Sequence, residues 1–295
     1  MSKLQGVFVV LSTPMHSDGS INYDGVESNL KHLLEQNVQG IMVCGALGEY
    51  LTLDYKERKE LSAFVLEKVA GKVPVIVGTI TARADLTIEL SNHVADLGAA
   101  GVMVLSPPGS GIEQEEIYAY YKQVAENVRL PIMVYNNPGS SGLDIEVDTL
   151  ARIADLPNVE CIKESSGDVK RVSQIVAELS DKITVFCGWE DMCFESFAAG
   201  AKGWVCMGGN FAPNMTRDIF TTAVEKGDWD GARKLYHGYL PVARYLETAG
   251  KVVQTTKYFQ EKMGLTGGTA RSPRQPLTND EKAAIEKLIA SVDLR

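Results

Sequence analysis

Short, continuous apolar runs recur along the chain, with amphipathic stretches between them. The runs cover residues 6–11, 40–44, 73–78, 101–105, 131–135, 159–163, 183–187 and 203–207. They are unbroken rather than alternating, as expected of parallel strands buried on both faces. Tyr55–Val69, residues 86–97, residues 114–128, Val147–Ala154 and Val169–Leu179 carry apolar positions at helical spacing among Lys and Glu. Units of strand and helix, each roughly 20–35 residues long, repeat along the chain and predict an α/β fold, an eight-stranded (β/α)8 TIM barrel. An open doubly wound sheet is the alternative, but the first run lacks the glycine-rich turn that opens a dinucleotide site. Residues 1–225 are expected to form the barrel and residues 226–295 a helical C-terminal extension. That extension ends in a helix over Asn279–Ser291 and contains a loop over residues 264–273.

Composition narrows the class. The chain has 295 residues, 45% of them hydrophobic and 23% charged, which suits a globular protein with one large core. A formal charge of −9 disfavours nucleic acid and anionic membranes as partners. No apolar run is long enough to span a bilayer, and the N-terminus shows no charged leader with a cleavage site. Cys44, Cys161, Cys187, Cys193 and Cys206 are odd in number, and their spacing suits neither a disulfide framework nor a zinc site. The expectation is a cytoplasmic protein. No pair of histidines has ligand spacing, so no metal is expected.

In such a barrel, chemistry belongs at the C-terminal ends of the strands. Lys163 ends the sixth run, immediately before the turn Glu164-Ser165-Ser166-Gly167-Asp168, with Asp168 placed to cap the next helix. A strand-end lysine can snorkel its charge to water. Buried without a partner, its amine tends instead to lose the proton and can attack a carbonyl carbon. Tyr135 ends the neighbouring fifth run, and a phenol there can shuttle the protons that imine formation requires. The turn Gly45-Ala46-Leu47-Gly48 after the second run can offer backbone amides to a carboxylate. Together these suggest a site for a 2-oxo acid, with Lys163 and Tyr135 catalytic and Gly45, Ala46 and Leu47 binding substrate. Ser140 in the fifth loop, Gly188 after the seventh run and Gly208 after the eighth are further candidate substrate contacts. Glu190 and Asp191 read as acids at a helix N-terminus, and His16 as a surface residue.

The motifs Gly45-x-x-Gly48-Glu49, Tyr135-Asn136-x-Pro138 and Ile162-Lys163-x-x-x-Gly167-Asp168 resemble the dihydrodipicolinate synthase / N-acetylneuraminate lyase family over nearly the whole chain. The resemblance implies a barrel with a helical C-terminal region, a homotetramer or homodimer, and a lyase that needs no cofactor. It also implies a Schiff base between Lys163 and pyruvate or another 2-oxo acid, with Tyr135 as proton shuttle. The chain departs from the synthase in three places. Ala46 and Leu47 replace two threonines, Pro107-Pro108-Gly109 replaces a tyrosine after the fourth strand, and Ser140 replaces an arginine that clamps a substrate carboxylate. Residues 135–138, 163–168 and 195–204 are similar to the branch that deaminates 1-pyrroline-4-hydroxy-2-carboxylate and to sugar-acid dehydratases and aldolases. Retention of both Lys163 and Tyr135 disfavours a non-catalytic module that only binds a 2-oxo acid.

Overall fold

The computed structural model describes residues 4–107, 109 and 111–294. Eight parallel strands close into a barrel in sequence order. They are β1 (Gly6–Val10), β2 (Gly40–Val43), β3 (Val75–Gly78), β4 (Gly101–Leu105), β5 (Ile132–Asn136), β6 (Val159–Glu164), β7 (Thr184–Cys187) and β8 (Gly203–Cys206). Helices α1 (Tyr23–Glu35), α2 (Tyr55–Val69), α3 (Ala84–Asp96) and α4 (Gln114–Ala125) follow the first four strands. The short α5 (Pro138–Ser141) and α6 (Val147–Ala154) follow β5, and α7 (Val169–Leu179), α8 (Cys193–Ala198) and α9 (Pro213–Phe220) follow β6, β7 and β8. The C-terminal helices are α10 (Trp229–Thr248), α11 (Val252–Lys262) and α12 (Asn279–Ser291).

The continuous apolar runs arise because each strand has two dry faces. Val7, Val9, Ile41, Val43, Val75, Val77, Val102 and Val104 turn outward and join the core shared with the helices. Alternate residues, including Phe8, Met42, Ile76, Met103, Met133, Cys161 and Phe186, fill the barrel interior. Glycines make room for the large rings: a Cβ on Gly40 would lie 2.5 Å from the Phe8 ring, and one on Gly203 would lie 2.2 Å from that of Phe186. The two rings meet edge to face, with centroids 5.6 Å apart. A plugged interior leaves the strand ends as the place for a site.

Helix ends follow local chemistry. Asp54 and Glu57 form a capping box on α2, Thr278 and Glu281 form one on α12, and Asp168 caps α7 by accepting from the Lys170 amide. The sequence patterns left α1, α5, α8 and α9 unassigned; α5 and α8 span only four and six residues, too short for a periodic pattern to show. The C-terminal helices pack on the barrel: α10 against α9 and the turn Glu190–Met192, and α11 against the turn Gly208–Asn210.

Candidate active site

Parallel pairing sets Tyr135 of β5 directly beside Lys163 of β6. Strand alternation then decides which residues enter the barrel. Their neighbours Asn136 and Glu164 turn outward into a polar network that fixes both strand ends. The Glu164 carboxylate accepts from Ser166 N (2.7 Å), Asn136 Nδ2 (3.0 Å) and Arg171 Nε (2.9 Å). Asn136 Nδ2 also donates to Asp144 Oδ1, and its Oδ1 accepts from Ile145 N. Glu164 is fully buried, so its charge is held by these donors and by Arg171. With that network on the outer face, Lys163 and Tyr135 face inward.

Lys163 is only 7% exposed. Its Nζ stands over the Tyr135 ring, 4.2 Å from the centroid, and among the described residues it has no hydrogen-bond or ion-pair partner. A buried amine with free valence is available to a ligand. The Tyr135 hydroxyl accepts from Asn137 Nδ2 at 2.7 Å. Asn137 also caps α5 through Ser140 N, so the hydroxyl is oriented by the loop that follows its own strand. Ser140, expected in a loop, lies within this single helical turn and is exposed.

The turn after β2 is tightly fixed. Glu49 N returns to Ala46 O and Tyr50 N to Gly45 O, while among the described residues the amides of Ala46 and Leu47 have no protein acceptor. Leu47 is buried beside the interior cluster, Ala46 is exposed, and a Cβ on Gly45 would lie 2.7 Å from Val10. Glu49 adopts φ 62°, which directs its carboxylate down to Lys257 at 2.6 Å. Tyr50, which the sequence reading passed over, packs in the same interior cluster as Tyr135 and Leu47. Burial, and then the Tyr135 phenol, push the Tyr50 hydroxyl up from its ordinary value. The signal in the sequence is a bulky phenol directly after the Gly45-x-x-Gly48-Glu49 motif. Of the synthase tyrosine's replacement, Pro108 lies outside the described residues.

The loop after β7 places Glu190 at a helix start, as expected. Glu190 opens a short helical turn, yet its carboxylate does not serve that turn. It is buried and accepts from Met207 N (2.9 Å), Gly208 N (2.8 Å) and Tyr239 Oη (2.5 Å). Burial raises its pKa against these donors. Gly208 is therefore engaged through its amide by Glu190, and a Cβ there would lie 1.8 Å from the Tyr239 hydroxyl. The Gly208 position serves the packing of α10 rather than presenting a free amide. Among the described residues no group of three or more His, Cys, Asp or Glu side chains could hold a metal, and no helix is long and apolar enough to cross a membrane.

Gly188 touches the lysine directly. A Cβ at this position would lie 1.9 Å from Ser165 Oγ and 2.8 Å from Lys163 Cε. Gly188→Ala is thus expected to displace the amine while leaving the barrel folded, since overpacking costs about 1–3 kcal/mol. A misplacement on the order of 1 Å slows a positioned reaction about a hundredfold. The rate at which borohydride traps a pyruvate adduct measures this, and an unchanged rate would place the reacting amine elsewhere.

Similar proteins agree with this architecture. The model of the dihydrodipicolinate synthetase family matches residues 3–292. The 4-hydroxy-tetrahydrodipicolinate synthase of Methanothrix thermoacetophila is 30% identical over 98% of this chain and 97% of its own. Thermotoga maritima dihydrodipicolinate synthase superposes with a TM-score of 0.94 at 29% identity, covering 100% of both chains. The chloride-inhibited Acinetobacter baumannii synthase, solved with pyruvate, gives a TM-score of 0.93 at 28% identity, covering 98% of this chain and 99% of its own. The chain belongs to the dihydrodipicolinate synthetase family.

Proposed function

We propose that this protein is a Schiff-base lyase that acts on a 2-oxo acid or a cyclic imine acid through an imine at Lys163. The observation that carries the reading is the buried Lys163 amine, without a protein partner and in register beside Tyr135. The amine attacks C2, and the carbinolamine must then lose water. Tyr135 supplies and receives those protons, with Tyr50 as the second phenol in place of the synthase's threonine and tyrosine. The free amides of Ala46 and Leu47 hold the C1 carboxylate. The covalent link makes a separate cofactor unnecessary. The similar Acinetobacter enzyme binds pyruvate, which supports a 2-oxo acid as the group held.

The distal half of the substrate differs from that of the synthase. Ser140 is exposed and lacks the fork of donors with which an arginine clamps a carboxylate. The reading therefore favours deamination of 1-pyrroline-4-hydroxy-2-carboxylate, or dehydration or aldol cleavage of a 2-keto-3-deoxy sugar acid, over dihydrodipicolinate synthesis. A cytoplasmic homotetramer or homodimer is the proposed working form. Borohydride reduction with pyruvate is expected to add mass at Lys163. A panel that follows release of pyruvate, ammonia and 2-oxoglutarate semialdehyde then separates the reactions. No adduct with pyruvate or any related 2-oxo acid would reduce the protein to a binding module.

A further inference from the structure

The last turn of α10 brings a carboxylate to the same rim. Glu247 Oε1 accepts the Glu190 amide at 2.6 Å, two residues beyond the Gly188 contact with Lys163. That single bond fixes the side chain, and among the described residues Oε2 has no partner. Glu247 is partly buried rather than sealed, so the free oxygen is open to a ligand. Its surroundings are acidic. Glu190 and Asp191 face it from the loop after β7, and the charge facing it in return is Lys163 from β6.

We infer that Glu247 is the general acid for the leaving group on C4 of the substrate, a hydroxyl that departs as water. The inference rests on the proposed imine at Lys163. From that imine, loss of a C3 proton gives an enamine; the proton enters the Tyr135 hydroxyl as that group passes its own to solvent. The enamine electron pair then forms the C3–C4 double bond while the C4–O bond breaks. Glu247 gives its proton to the departing oxygen, which leaves as water. The iminium at Lys163 is restored, and the Glu247 carboxylate regains a proton from solvent. No oxidant or reductant enters.

Electrostatics suit this role. Burial first, and then Glu190 and Asp191, raise the Glu247 carboxyl to about 7, against the lowering effects of the Glu190 amide and Lys163. A carboxyl group in that range stays protonated near neutrality and can still release its proton. Because the acid must be protonated, turnover falls as pH rises through about 7.

Glu247→Gln keeps the acceptor for the Glu190 amide and removes the proton. With 1-pyrroline-4-hydroxy-2-carboxylate and 2-keto-3-deoxygluconate as probes, the variant is expected to lose about 10²–10⁴-fold in kcat and to lose the descending pH limb. Trapping of pyruvate at Lys163 by borohydride should remain within about threefold of wild type. If the variant fails to fold, the wild-type profile still decides, because a kcat with no descending limb near neutral pH overturns the role. So does a folded variant with undiminished kcat, or a wild type that traps pyruvate but converts neither probe. These failures leave the Lys163 imine standing, whereas absence of any trapped adduct in the wild type removes both readings.

Discussion

Lys163→Ala is expected to abolish borohydride-trapped adducts with pyruvate and to lower kcat/KM by about four orders of magnitude or more. The lysine occupies its place without help from an ion pair, so its removal leaves no orphaned charge. It is 7% exposed, stacked at 4.2 Å over Tyr135, and bounded by Gly188 on the next strand end. Truncation opens a small cavity at the wet end of the barrel, and the fold should survive with its circular dichroism intact. Tyr135→Phe separates the two steps. It keeps the ring under Nζ and loses only the hydroxyl that Asn137 orients. The adduct should still form, though more slowly, while kcat falls about 10²–10⁴-fold, the usual worth of positioned proton transfer, with less effect on KM. Full activity in Lys163→Ala would end the Schiff-base reading; equal loss of binding and turnover in Tyr135→Phe would make the phenol a packing group.

The barrel was legible because its strands are buried on two faces, and residues such as Val7, Val9, Ile41 and Val43 complete runs that no half-exposed strand would carry. The same rule found Lys163 and Tyr135, since both end such runs and alternation turns both inward. What the pattern missed depends on long-range geometry. Tyr50 reads as one more residue after a glycine turn until closure of the barrel sets it in the cluster with Tyr135. Glu247 reads as an ordinary helix acid until α10 packs on the turn at Glu190. Glu190 does open a helical turn, as expected, but the amides its carboxylate binds belong to the next strand's loop and are out of reach of any local pattern. Gly208 reads as a substrate contact for the same reason, and the phenol that demands its small size arrives from Tyr239, distant in sequence.

Lys257→Met is expected to cost about 3–5 kcal/mol of stability, measured by urea unfolding, because it leaves a buried carboxylate with only the Arg271 amide and Arg274 Nε, 3.6 Å away, to offset its charge. Lys257 and Glu49 are 2% and 1% exposed, and Nζ lies 2.6 Å from Oε1. The lysine also donates to Thr269 O at 2.5 Å, and Glu49 Oε2 accepts from Arg271 N at 3.0 Å. Arg271 in turn grips Glu57 with both terminal nitrogens and reaches Thr52 O. The pair thus ties the turn after β2 to α11 and to the loop that follows it. Burial lowers the Lys257 pKa, with Glu49 acting against that shift, so the ammonium depends on its partner as the carboxylate does. Pairing Lys257→Met with Glu49→Gln removes both charges, and the double variant should recover a large part of the loss. Its stability would return without its rigidity. The Ala46 and Leu47 amides would no longer be held from below, so KM for a 2-oxo acid should rise even where the unfolding midpoint is restored. A loss under about 1 kcal/mol in Lys257→Met would mean that water reaches Glu49 and that the turn is held by its backbone alone.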